Sequence, residues 1–148
     1  MVKKATWKGG KRLLALADFL ENDPRVEGHF DMAHVLAENG GDLFRTKRGK
    51  PDLHACGTAA CAMGWAPTVP SIRRAGLSYV KLRDGDWYIG MHGIACDFID
   101  AAEDIFDIAG SDADYLFYPR DGHRTPKQVA RNIRRFVKDD AKRRGVTL

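Results

Sequence analysis

Residues 52–67 read DLHACGTAACAMGWAP and concentrate the side chains of this chain that are able to do chemistry. They include Cys56 and Cys61, two of the three cysteines, together with His54 and a Gly57-Thr58 step. One chemistry is metal binding, with His54, Cys56 and Cys61 joined by His92 and Cys96. The C-x4-C spacing is not the C-x2-C of a common zinc knuckle, so the two thiols have no local reason to converge. A second is nucleophilic attack. A thiol near a helix N-terminus has its thiolate favoured by the helix dipole, and Cys56 or Cys61 would act with His54 or His92 as base. A third is anion binding. If Thr58 caps a helix, the N–H groups that follow it are free, and Gly57, Thr58, Ala59 and Cys61 become a cradle for a phosphate or carboxylate. Against all three stands packing. Free cysteine behaves as a small buried hydrophobe, the alanines and glycines permit close approach, and Trp65 is a large apolar anchor. The spacing favours packing, and no catalytic residue and no metal ligand is assigned.

The elements that must position this stretch follow from periodicity and punctuation. Residues 1–10 read as a flexible basic lead ending in Gly9-Gly10, and 11–148 as a single globular domain. Leu13, Leu16, Ala17 and Leu20 share one face of a helix over 11–22, stopped by Asn22-Asp23-Pro24. Phe30 to Glu38 reads as a short helix with Asp31 as its cap, and 40–55 as a polar surface connection. A helix from Thr58 to Trp65 is closed by Pro67 and Pro70. Leu77–Leu82 and Trp87–Gly90 flank Arg83-Asp84-Gly85-Asp86, a β-hairpin pattern over about 77–90. Residues 94–108 return to helix, Gly110 caps its end, and Ser111 opens another that Pro119 stops. The last helix begins with Thr125 as N-cap, Pro126 at its first position and Gln128 completing a capping box, and it runs to about Arg144. The fold class is α+β, predominantly α, with five or six helices and one hairpin.

Two helices carry opposite charge. On the last, Val129, Ile133, Phe136 and Val137 form the apolar seam. Lys127, Arg131, Arg134, Arg135, Lys138 and Lys142 form a basic face able to follow a phosphate backbone or meet an acidic partner. On helix 94–108, Asp97, Asp100, Glu103, Asp104 and Asp107 lie opposite Ile94, Phe98, Ala101, Ile105 and Ile108. That acidic face is solvated or a weak Mg²⁺ site, and it is also complementary to the basic face of a second copy in a homodimer. Cys96 projects to the acidic side, where carboxylates disfavour its thiolate.

Composition narrows the classes. The 148 residues, 44% hydrophobic, suffice for a core without disulfide or metal support. No apolar run reaches the length of a membrane span, no signal-peptide pattern opens the chain, and three cysteines suit reduced thiols. The reading is cytoplasmic, with no membrane association and no cofactor. A formal net charge of +4 leans weakly toward an anionic partner.

CGTAACAMGWA (56–66) resembles the C-G-T-x-x-C-x-x-G-W-A signature of uncharacterised small proteins from bacteriophages and proteobacterial genomes. FDMAHV (30–35) before it, and AEDIFDIAGSDADYLFYPR (102–120) and TPKQVARNIRRFV (125–137) after it, resemble segments that occur in the same order in those proteins, so the resemblance spans roughly 11–137. It implies a phage or prophage setting, hence a host cytoplasm, and transfers no catalytic role. The expected function is non-enzymatic binding of a host macromolecule or a small anionic ligand. The alternatives are a cysteine-dependent hydrolase built on 54–61, and a nucleic-acid binder using the basic face of the C-terminal helix.

Overall fold

The computed structural model describes residues 6–30, 32, 36–38, 46–47, 50–51, 58–83 and 87–148. Helix α1 spans Lys8–Asn22 and places Leu13, Leu16, Ala17 and Leu20 in the core, as their spacing predicts. It begins three residues earlier than the punctuation suggests. Gly9 and Gly10 are not the end of a loose lead but part of the first turn, and Trp7 just before them is 2% exposed. The reason is tertiary. A Cβ built on Gly9 would stand 1.8 Å from the Phe106 carbonyl oxygen, so only glycine lets the helix come this close. The helix-weakening effect of two glycines, about 1 kcal/mol each relative to alanine, is offset by that contact.

Four short strands follow: β1 (Leu36–Glu38), β2 (Thr46–Lys47), β3 (Lys50–Pro51) and β4 (Thr58–Ala60). β1 pairs antiparallel with β4, Leu36 opposite Ala60, and β2 pairs antiparallel with β3, Lys47 opposite Lys50. Two expectations change here. Leu36–Glu38 is strand where a helix over 30–38 was expected, and Asp31, its proposed cap, lies outside the described residues. Thr58 does not open a helix, since Thr58–Ala60 is strand and helix α2 (Ala62–Trp65) starts after it with Cys61 as N-cap. A 3-10 turn over Ala66–Thr68 leads into α3 (Pro70–Arg74).

The second sheet has three antiparallel strands in the order β5 (Leu77–Lys81), β6 (Trp87–Met91) and β7 (Ile94–Ala95). Leu77 faces Met91 and Lys81 faces Trp87, so the expected pairing is present, extended by a third strand. The two residues joining β6 to β7, His92 and Gly93, have φ of 54° and 82°. Both positive values define the tight turn that matches strand twist, and histidine is among the few residues enriched in that region.

Helix α4 (Phe98–Phe106) is shorter than the 94–108 expected, because Ile94 and Ala95 belong to β7; Ile94 is 73% exposed instead of lying on the apolar seam. Asp97 caps α4 through a hydrogen bond from the Ile99 N–H at 2.8 Å. Its far end is closed by Asp107 in the left-handed conformation, while Gly110, expected to be that cap, is the first residue of α5 (Gly110–Phe117). Helix α6 (Pro126–Arg144) has every predicted boundary: Thr125 and Gln128 form the capping box, and Gly145 ends the helix at φ 68°. The described residues thus contain six α-helices and the three-stranded antiparallel sheet. No described helix is long and apolar enough to cross a membrane.

The core gathers buried residues from all six helices and from β5 and β6. α1 lies chiefly against α6, with α4 beside it. Phe106 stacks on Phe117 with ring centroids 5.7 Å apart, and Trp7 meets Phe136 edge-on at 6.3 Å. The Gly9 contact makes a firm test. Gly9→Ala should destabilise the protein by about 2 kcal/mol or more despite alanine's better helix propensity, because the backbones of α1 and α4 must separate. Urea unfolding measures it, and an unchanged midpoint would show that the close approach is not required.

Candidate functional site

Residues 61–67 of the 52–67 stretch are built into the core. Cys61 is 2% exposed, and Ala62, Met63, Trp65 and Ala66 around it are buried. The Trp65 indole N–H donates to the His29 carbonyl at 2.9 Å, and the Tyr79 hydroxyl donates to the Gly64 carbonyl at 2.7 Å. Burial pushes the Tyr79 phenol far above its usual range. These contacts pin α2 from both sides.

The helix start that the anion cradle of Gly57, Thr58, Ala59 and Cys61 requires at Thr58 is a strand instead. Along a strand successive N–H groups point in opposite directions, so Thr58 and Ala59 cannot converge on one ligand as a helix start would make them. Gly57 lies outside the described residues, and α2 is a single turn. His54 and Cys56, proposed for the metal and hydrolase readings, also lie outside them. Cys61 itself is buried.

His92 lies in the turn between β6 and β7, and Cys96 just after β7. His92 is exposed, its ring lies over Gly76, and its N–H donates to the Gly76 carbonyl at 2.9 Å. Cys96 precedes α4 instead of riding on it. Burial pushes its thiol up, and the carboxylates of Asp100, Asp97 and Asp104 add to the shift, outweighing a backbone hydrogen bond at Met91. The acidic side chains of α4 are all exposed. Among the described residues no three His, Cys, Asp or Glu side chains gather as a metal site.

The basic face of α6 is held in place from within. Val129, Ile133 and Val137 are buried against the core. Near the N-terminus, His123 is completely buried between α5 and α6. Its Nε2 contacts the Leu116 carbonyl, which can only accept, so Nε2 carries the hydrogen. Nδ1 then accepts from the Asn132 side-chain amide at 2.8 Å, and the same amide donates to the Gly122 carbonyl at 3.1 Å. Burial lowers the His123 pKa; the Leu116 hydrogen bond works against this, the nearby Arg120 charge with it, and the net shift is downward. Near the C-terminus, Asp140 is 6% exposed and accepts from Arg143 and Arg144. Burial alone would raise its pKa, but hydrogen bonds from Arg144 and Arg143 prevail and hold the carboxyl below its ordinary range.

Of the six predicted basic residues, five (Lys127, Arg131, Arg135, Lys138 and Lys142) are exposed, and none makes an ion pair among the described residues. Arg134 departs from the group. It bridges to α1, donating to Asp18 at 2.7 Å and to Glu21, so it serves to dock α6 on α1. At 1.5 Å per residue the row from Lys127 to Lys142 runs about 22 Å.

The geometry therefore defines a protein with a fixed, positively charged helical surface. Compared with known proteins, the chain matches no family model, no curated protein and no solved structure.

Two outcomes follow from the buried groups. Cys61→Ser replaces a buried thiol with a hydroxyl that is costlier to take out of water and should destabilise by about 1–3 kcal/mol, with Cys61→Ala milder; denaturant melts in which both match the parent would show that the site is not packed. His123 gives a pH signature. Its folded pKa lies below the roughly 6.5 of an unfolded histidine, so the unfolded chain takes up the proton first. This contribution is complete above about pH 6.5 and is lost as pH falls from there through the folded pKa. Asp140, also depressed, acts only below the carboxylate range near 4. The melting temperature should thus fall between pH 7 and 5, and His123→Gln should flatten that segment.

Proposed function

We propose that this is a non-enzymatic accessory protein of a phage or prophage that binds a host macromolecule, and that the exposed face of α6 makes the contact. One observation carries the reading: five basic side chains stand on one face of a helix with no ion pair among the described residues, on a backbone fixed at both ends. Uncompensated like charge on a rigid surface raises the local potential and attracts an acidic partner. The partner class it suits best is a host protein with an acidic surface. The phage setting rests on the signature at 56–66.

A second reading, nucleic-acid binding, is favoured by the length of the row, which is enough to meet several phosphates. No aromatic side chain interleaves with it, so duplex backbone is the relevant form.

The test compares the parent with Arg131→Gln/Lys138→Gln, both changes lying opposite the apolar seam where glutamine keeps the helix. The parent should retain a partner from host lysate at about 0.15 M salt after nuclease treatment, and the double variant should lose it. Equal retention by the variant would remove α6 as the surface. Duplex DNA should bind the parent only at low salt. Tight duplex binding at physiological salt, with a log–log salt slope near −0.9 per phosphate that the variant makes shallower, would select the nucleic-acid reading instead.

A further inference from the structure

A second positively charged feature lies on α1, away from the basic row of α6. Lys8, Lys11 and Arg12 from the first turns of α1, with Arg74, Ser71 and Ala75 from the α3 segment, line a cavity of about 330 Å³. No acidic side chain lines it, and none of its four cations forms an ion pair among the described residues. Asp18 and Glu21, which take Arg134 of α6, sit further along α1.

Three features make this more than a solvated patch. First, cations are disfavoured at a helix N-terminus, where the macrodipole is already positive, yet α1 carries Lys8, Lys11 and Arg12 there and no acidic residue in its first turn. An anion seated among them would remove that repulsion. Second, Arg12 is preorganised: its guanidinium donates to the Ile105 carbonyl at 2.9 Å and is half-buried, so its remaining N–H groups are held in place. Third, the Ser71 hydroxyl oxygen is buried with no hydrogen-bond partner. A hydroxyl left without a partner is costly, and Ser71 lines the cavity.

We infer that this cavity is a binding site for a phosphate group, with Lys8, Lys11, Arg12 and Arg74 neutralising the charge and Ser71 donating a hydrogen bond. The volume is ample for a phosphate group. Four cations and one hydroxyl donor match the several acceptor oxygens of a phosphate better than they match a single carboxylate. The site is independent of the α6 reading, and the two are tested by different residues.

The experiment is calorimetric titration of the intact protein with inorganic phosphate and with a nucleoside 5′-monophosphate, in chloride at matched ionic strength. Saturable binding is expected for both. Lys11→Gln/Arg74→Gln should weaken it by about tenfold or more, the scale of one lost charged hydrogen bond. Both positions are exposed, so the fold is kept. Ser71→Ala should weaken binding while leaving the ligand-free melting temperature unchanged or higher, a combination that a purely structural serine would not give. Arg131→Gln/Lys138→Gln should bind phosphate like the parent. An oligonucleotide without terminal phosphates separates the sources: competition by the monophosphate alone assigns a small phosphorylated ligand, and competition by the oligonucleotide assigns a backbone phosphate. Absence of saturable binding, binding unchanged in Lys11→Gln/Arg74→Gln, or loss in the α6 variant would overturn the assignment.

Discussion

The C-terminal end of α4 is where this structure is tied together. A helix leaves its last carbonyls without internal partners, and a buried end must find them elsewhere. Here three consecutive carbonyls are met by side chains from other elements. Arg12 of α1 donates to Ile105, the Trp7 indole to Phe106 at 2.9 Å, and Arg144 of α6 to Asp107 at 2.6 Å. Arg144 also lies over the Trp7 ring, 4.1 Å from its centroid. One helix end thus fixes the start of α1 and the end of α6 together. It needs Gly9 for clearance and Asp107 in the left-handed conformation for the exit of the chain. The cationic ends placed against this negative helix pole also complement its dipole.

This tie explains why the charged surfaces are stiff. α6 is held near its start by the His123–Asn132 pair, along its length by the Val129, Ile133 and Val137 seam, and near its end by Asp140 with two arginines. Arg134 adds a bridge to α1. Four of the charged side chains on or beside α6 therefore do structural work, Arg134, Asp140, Arg143 and Arg144, and the remaining basic row faces water. A partner meeting that row needs to order only side chains, not the helix beneath them.

What was legible in the sequence is what local chemistry decides. Thr125, Pro126 and Gln128 announce the start of α6, and each sits where its own backbone preference puts it. The strand pair at Leu77 and Trp87 is likewise written in alternating β-formers. What escaped was decided by distant chain. Gly9-Gly10 looks like a breaker until the Phe106 carbonyl is placed beside it. Gly57-Thr58 looks like a cap, but Thr58 pairs with Glu38, and no local pattern signals a strand that short. Gly110 is the natural residue for a left-handed cap, yet Asp107 takes that conformation and Gly110 opens α5. The basic face of α6 was readable from its spacing except for Arg134, whose acids lie more than a hundred residues earlier. The cavity beside Ser71 gave no signal at all, since its two halves come from segments some sixty residues apart and one of its lysines sat in the supposed lead.

The same long-range tie sets the order in which the chain is able to fold as it is made. α1 leaves the ribosome well before its principal partner α6, which begins roughly a hundred residues after α1 ends. At about 5–20 residues per second, that separation is a wait of roughly 5–20 s. During it, Leu13, Leu16 and Leu20 lack the α6 side of their core, and the Gly9-Gly10 pair weakens the helix that displays them. α1 therefore emerges early and is secured late during synthesis. A cell making this chain must keep that apolar stripe from other chains until the C-terminal helix arrives.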